Sequence, residues 1–198
     1  RPVQMAKEAI GKGRLGEVVF ATWRFGGEGG ADHPFNNLIE TQCHGFDMLE
    51  HLCGPIESAM AQMTDKIRPG SFTTMALALR FANGAVGSLV GSYDSSYAYP
   101  GTHMLEVNGT KGRLRIEDTV RKFTFHPVGS EVGGTWQAGY FNEQDRSFLQ
   151  TFDRHVDALL AAFRRGEAPP VHGRAGRRAL ALAQACVQSF REGRRVSV

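Results

Sequence analysis

The chain has 198 residues, 41% of them hydrophobic, and a formal net charge of +3. That length supports one sizeable core and falls short of two full domains, and the small charge, without aromatics interleaved among the arginines, excludes a nucleic-acid binder. No run approaches the roughly 18 apolar residues of a membrane span, and three cysteines without paired spacing argue against a disulfide framework and for a reducing, cytoplasmic compartment.

Residues 2–12 fit a helix with proline in its first turn and Val3, Ala6 and Ile10 on one side. The chain opens directly on this pattern at Arg1, without an initiator methionine, as though a segment upstream were missing. Residues 17–25, EVVFATWRF, have the β-branched and aromatic content of a strand. The glycine run 26–30 looks like a phosphate loop, but the G-x-G-x-x-G spacing would need glycine at Asp32 and Pro34 follows, so it reads as a plain loop.

Residues 36–54, NNLIETQCHGFDMLEHLCG, read as one helix with two opposed faces. At roughly 100° per residue, Glu40, His44, Asp47 and His51 fall on one polar stripe, while Leu38, Phe46, Leu49, Leu52 and Cys53 face the other way with Ile39 at their margin. Asn36 or Asn37 can cap the start, and Gly54-Pro55 stops the end. The stripe holds no lysine or arginine. It places a carboxylate one turn before an imidazole and another one turn after it, and flanking carboxylates fix an imidazole's tautomer and favour its charged form, which is how a general acid/base is built.

Strands follow. Residues 56–64 and 72–81 have β composition, and Asn83-Gly84 predicts a tight hairpin with positive φ at both turn positions, returning over 85–93. A second hairpin runs from 104–107 through NGTKG to 113–116, and 121–126 continues the meander. The closing third is helical: Asn142 is expected to cap a long helix to Gly166, with Phe148, Phe152, Val156, Leu159, Leu160 and Phe163 at core-packing spacing. Pro169-Pro170 breaks the chain. A last helix over 174–192 buries Leu180, Leu182, Ala183, Val187 and Phe190, ends at Gly193 and hands over to a short strand at 195–198. The fold class is α+β: a broad, mainly antiparallel sheet with helices packed on one face. Apolar residues at both parities of 75–81 suggest that the other face is covered as well, by a second copy in a homodimer or homotetramer.

A metal-dependent enzyme using Glu40, His44, Asp47 and His51 is the competing chemical reading. It is disfavoured because His51 lies about 16 Å along the axis from Glu40, and one helix cannot easily converge these groups on one ion. No metal site is expected. A non-catalytic binding or assembly module with the same fold is the other alternative.

In this order of elements, the chain resembles the C-terminal domain of the glucose-fructose oxidoreductase / inositol dehydrogenase (Gfo/Idh/MocA) family. The resemblance rests on GRLGEVVFATWRF, LIETQCHGFDMLEHLCG, FANGAVGSLVGSY, VNGTKGRLRI and the closing PPVHGRAGRRALALAQACVQSFREGRRVSV, and it covers essentially the whole chain. It implies a glyceraldehyde-3-phosphate-dehydrogenase-like C-terminal fold and hydride transfer between NAD or NADP and a sugar, cyclitol or related polyol. His44 would be the proton acceptor and donor, Glu40 its orienting partner in a position where many members have aspartate, and Asp47 a ligand of a substrate hydroxyl. Arg24, Tyr97 and His103 are further candidates for substrate contact. The resemblance also implies a Rossmann domain upstream of Arg1, with the cofactor site and a lysine that partners the catalytic histidine. Neither lies in these residues, so the fragment alone is expected to be inactive.

Overall fold

The protein is described here by a computed structural model covering residues 1–30, 32–95 and 100–198. It opens with helix α1 (Pro2–Gly11), strand β1 (Val18–Gly26), a π-helical turn (Asn37–Thr41) and helix α2 (Cys43–Cys53). Strands β2 (Ile56–Thr64), β3 (Thr74–Phe81), β4 (Val86–Ser92), β5 (His103–Gly109), β6 (Gly112–Glu117), β7 (Lys122–Pro127) and β8 (Gly134–Gln137) follow. Helices α3 (Glu143–Arg146), α4 (Gln150–Arg164) and α5 (Gly173–Glu192) and strand β9 (Val196–Ser197) complete the chain.

The strands form one nine-stranded sheet in the order β8-β7-β6-β5-β1-β4-β3-β2-β9. All neighbours are antiparallel except β1 and β4, because β1 inserts between two strands that are sequential in the meander. Strand alternation decides the faces. Met75, Leu77, Leu79 and Phe81 are buried under the helices, as are Ala21, Trp23 and Leu89, whereas Ala76, Ala78 and Arg80 face outward. Helices α1, α2 and α5 cover the buried face: Phe46, Leu49 and Leu52 of α2 and Leu182, Ala183 and Cys186 of α5 join one core with the strands. Each fully buried aliphatic or aromatic side chain of this kind contributes roughly 1.5–3 kcal/mol.

Polar ties fix the layer in register. The Arg178 guanidinium forks onto Glu50 and donates to the Ile56 carbonyl at 2.5 Å, while Glu50 accepts from the Ile56 N–H at 2.7 Å. Ser189, fully buried, accepts from the Ala61 N–H and donates to the Arg194 carbonyl, so α5 is linked to both β2 and the turn after it. Gly193 closes α5 in the left-handed region at φ 62°.

The structure corrects several expectations. Only Gly84 has positive φ in the 83–84 turn. Asn83 instead spends its side chain on the Cys53 carbonyl at the end of α2 and on the Ala85 N–H. The single helix expected from Asn142 to Gly166 is two: Asn142 caps α3 by accepting from the Asp145 N–H, and Ser147 is extended at φ −82°, ψ 122° before α4 begins. The phenylalanines of that segment are not core. Phe148, Phe152, Val156, Leu159, Leu160 and Phe163 are all exposed, as is Leu180 on α5, because the helical layer is already closed by α1, α2 and α5. Strand β8 was not anticipated; its four residues carry a weak pattern.

The far face of the sheet is open. Phe20, Val86 and Val90 lie exposed there beside Ala76 and Ala78. Toward the β7 edge the face becomes a charge ladder in which Glu117 pairs with Arg115, Arg121 and Lys122.

Candidate functional site

The expected helix over 36–54 is a π turn followed by an α-helix. In an α-helix, Asn37 and Gln42 would lie about 140° apart around the axis. Here the Gln42 N–H donates to the Asn37 carbonyl at 2.9 Å, an i→i+5 bond, which turns both side chains inward. There they build a buried chain. The Trp23 indole donates to Gln42 Oε1 at 3.2 Å, Gln42 donates to Asn37 Oδ1 at 3.0 Å, and Asn37 donates to the Thr73 carbonyl at 2.6 Å. The expected asparagine caps are therefore absent: neither Asn36 nor Gln42, at the starts of the two helical pieces, makes a side-chain cap, and Asn37 is committed inward.

Two glycines let the pieces sit this low. A Cβ at Gly45 would stand 2.5 Å from Trp23 Nε1, and one at Gly91 would stand 2.4 Å from the Gln42 side chain. The backbone beside His44 thus rests directly on the sheet. Thr41 adds a 2.5 Å hydrogen bond to the Tyr93 hydroxyl from the outer side of the same turn.

On this anchored platform, Glu40, His44, Asp47 and His51 all face outward, opposite the buried Leu38, Phe46, Leu49, Leu52 and Cys53. Among the described residues, no hydrogen bond joins Glu40 to His44. Glu40 stands inside the π turn, so its direction relative to His44 is not that of an i, i+4 pair in an α-helix. The Lys7 ammonium donates to the His51 carbonyl at the other end of α2. Burial and the Lys7 charge lower the His51 pKa, with Asp47 opposing them.

His103 lies beneath this stripe, at the start of β5. Its ring packs edge-on against Trp23 at 4.3 Å and tilted against Phe25 at 4.5 Å, and its Nδ1 meets the Thr119 hydroxyl. Burial drives its pKa down to about 4, with Asp118 opposing and His44 reinforcing the shift, so it is a neutral imidazole. Its Nε2 is buried without a hydrogen-bond partner. The turn that holds it is strained: Asp118 and Thr119 take φ 46° and 53°, and a β-branched residue rarely does so. The Asp118 carboxylate compensates by accepting from the N–H groups of Gly101 and His103. A cavity of about 10 Å³ adjoins the ring, lined by Val3, Trp23, Met48 and Thr119 among others.

Arg24 does not join this group. It follows Trp23 on β1 and so points to the opposite, open face, where it donates to the Gly101 carbonyl at 2.6 Å and lines a cleft of about 290 Å³ with Val90, Ser92 and Thr102. Tyr97, the other candidate for substrate contact, lies outside the described residues. The sequence reading missed Trp23, Asn37, Gln42, Gly45 and Thr119 as positioning residues.

Burial raises the pKa of Cys43, and it pushes those of Cys53 and Cys186 up to about 12. Among the described residues, no three histidine, cysteine or acidic side chains gather as a metal site would need, and no helix is long and apolar enough to cross a membrane.

Residues 7–198 match the C-terminal alpha/beta domain of an oxidoreductase family, Gfo/Idh/MocA. The chain belongs to this family. Among curated relatives, it is 27% identical to an inositol 2-dehydrogenase of Rhizobium meliloti over 97% of this chain and 60% of that protein. It is 31% identical to a myo-inositol 2-dehydrogenase of Thermotoga maritima over 81% of this chain and 48% of that protein. It therefore spans about half to three-fifths of the relatives it matches. The fold is that of a levoglucosan dehydrogenase solved with NADH, at a TM-score of 0.82, 18% identity and coverage of 100% of this chain and 63% of that one. The WlbA dehydrogenase of Bordetella pertussis, solved with NADH and UDP-GlcNAcA, shares it at a TM-score of 0.78, 21% identity and coverage of 100% and 61%.

Proposed function

We propose that this chain is the substrate-binding and oligomerisation half of an NAD(P)-dependent dehydrogenase that acts on a secondary alcohol of a cyclitol, sugar or related polyol. The observation that carries the reading is the outward stripe of Glu40, His44 and Asp47 on a rigidly anchored helix, in a chain whose curated relatives are inositol dehydrogenases.

The described residues do not fit a dinucleotide. The glycine run at 26–30 leads into no helix N-terminus that could receive a pyrophosphate. In this reading, the cofactor would be held by a Rossmann domain outside these residues and would supply the hydride acceptor.

What this chain contributes is proton handling and orientation. His44 takes the proton from the substrate hydroxyl as the carbinol carbon becomes a carbonyl, and returns it in reverse. Glu40 stabilises the imidazolium that forms, and Asp47 accepts from a neighbouring substrate hydroxyl, which selects a polyol over a simple alcohol. His103, neutral beneath them, presents no competing charge. Arg24 serves the open face instead, where the exposed patch of Phe20, Val86 and Val90 is the seat of a second copy in a dimer or tetramer. Three free thiols accord with a cytoplasmic setting.

The test is an assay of the full gene-encoded polypeptide for NAD or NADP reduction against a panel of cyclitols and hexoses. Turnover with at least one supports the reading, and none with any of them rejects it.

A further inference from the structure

Tyr93 stands between two parts of the chain that flank the polar stripe. It is only 8% exposed, and its ring fills the place where Gly29 would carry a side chain: a Cβ there would stand 2.4 Å from the ring. Its hydroxyl reaches the other way, to the 2.5 Å hydrogen bond with the Thr41 hydroxyl, one residue after Glu40. Its own N–H donates to the Thr73 carbonyl, which also accepts the Asn37 side chain from the start of the π turn. One residue thus spaces the glycine run from the turn that carries Glu40.

The glycine run is held in place by a second residue as well. The Arg68 guanidinium donates to the Gly29 carbonyl at 2.6 Å and lies 3.5 Å from the Asp94 carboxylate. Asp94, the residue after Tyr93, accepts from the Thr73 and Thr74 hydroxyls at 2.7 and 2.8 Å. The Gly27 N–H closes the base of the loop on the Ser92 carbonyl. Residues 26–30 hold four glycines in five positions, and such a segment has little conformational preference of its own. These contacts, rather than local propensity, give it a fixed place beside the π turn.

We propose that Tyr93 is a positioning residue for the substrate cleft: residues 26–30 form the wall of that cleft at its Glu40 end, and Tyr93 sets the gap between the wall and the π turn. This rests on the dehydrogenase reading above. Tyr93 itself touches no substrate; it acts through Thr41 on one side and Gly29 on the other. A wall of glycines brings main chain close to a bound molecule, and main-chain N–H and C=O groups suit the many hydroxyls of a polyol. Cutting the Tyr93 hydroxyl bond lets wall and turn shift apart, so the substrate is gripped less firmly. His44 is spared, because Gly45 beside it rests separately on Trp23.

The test uses the full gene-encoded polypeptide on the polyol it turns over best, and reads KM, kcat and NADH affinity. Tyr93→Phe, which removes only the hydroxyl, is expected to raise KM roughly three- to tenfold, the worth of about one hydrogen bond, with kcat within about twofold and NADH affinity unchanged. Thr41→Val is expected to match it, and the double variant to be no worse than either single one, because both cut the same bond. Thr41→Ser, which keeps a hydroxyl, is expected to restore most of the lost KM. Gly29→Ala drives a Cβ into the ring and is expected to raise KM to a similar degree; should it not fold, Arg68→Gln, which frees the Gly29 carbonyl, is read in its place. An unaltered KM in Tyr93→Phe, a fall in kcat alone, or additive losses in the double variant overturns the proposal, as does an unaltered KM when Gly29 is released. Turnover of the unsubstituted polypeptide separates the two levels: activity there with any of these results rejects the positioning role alone, and no activity on any polyol rejects the dehydrogenase reading itself.

Discussion

The indole N–H of Trp23 donates to the side-chain oxygen of Gln42 across 3.2 Å, so the central strand and the turn that presents the polar stripe are joined by a buried hydrogen bond. Gln42 in turn donates to Asn37, and Asn37 to the Thr73 carbonyl, so this one residue links strand, π turn and the β2–β3 connection. Replacing Gln42 with Leu leaves the Trp23 donor and the Asn37 acceptor unpaired in a dry environment. Each such group costs about 1–3 kcal/mol, so a loss of roughly 2–5 kcal/mol is expected. Urea unfolding of the 198-residue chain measures it. A loss under about 0.5 kcal/mol, the range of an ordinary surface change, would show that the buried chain is not a support.

Gly45 makes a second prediction, one that runs against helix propensity. Alanine in a helix interior is better than glycine by about 1 kcal/mol. At this position its Cβ would stand 2.5 Å from Trp23 Nε1 and 2.9 Å from Leu89 Cδ1. Overpacking of that kind costs about 1–3 kcal/mol, so Gly45→Ala is expected to be destabilising on balance. It is also expected to lower kcat/KM of the full polypeptide by more than the stability loss explains, since His44 is the adjacent residue. A stabilised and fully active variant would mean that α2 does not rest on Trp23 as described.

His103 gives the protein a pH dependence. Burial lowers its folded-state pKa to about 4, against 6.5 unperturbed. Between these values, the unfolded chain binds a proton that the folded chain refuses. Stability therefore rises with pH across this window and is lost as pH falls from about 6.5 toward 4. The contribution at stake is on the order of 3 kcal/mol. The urea midpoint of the native chain is expected to fall steeply between pH 7 and pH 4.5, and that of His103→Leu much less. Equal slopes for the two would contradict the assignment of this transition to His103.

The order and type of the main elements were legible because their causes are local. The alternation of Met75, Leu77, Leu79 and Phe81 sets a strand and its buried face, and Gly54-Pro55 and Gly193 stop helices wherever they stand. The polar stripe was legible for the same reason, since Leu38, Phe46, Leu49 and Leu52 define its opposite. The π turn was not, because it exists to bring Asn37 and Gln42 onto partners more than 15 residues away in sequence, Thr73 and Trp23. Nor could Arg24 be placed on a face from its position at the end of a strand; that follows from Trp23 turning inward beneath Gly45. The α4 phenylalanines were misassigned to the core because periodicity reports an apolar face without saying what covers it. β1 lying between β4 and β5 is likewise a long-range outcome that hairpin signals do not encode.

The central claim is that His44 exchanges the proton while the dinucleotide is held elsewhere. The most direct measurement is steady-state turnover of the full gene-encoded polypeptide on its best polyol, with and without His44→Ala, beside NADH affinity by fluorescence titration. A positioned general base is worth about 10²–10⁴-fold. The expected result is a fall of that size in kcat with NADH affinity unchanged within a factor of about two. Turnover within about threefold of the unsubstituted enzyme would contradict the account, and the stripe on α2 would then be a surface without the chemistry assigned to it.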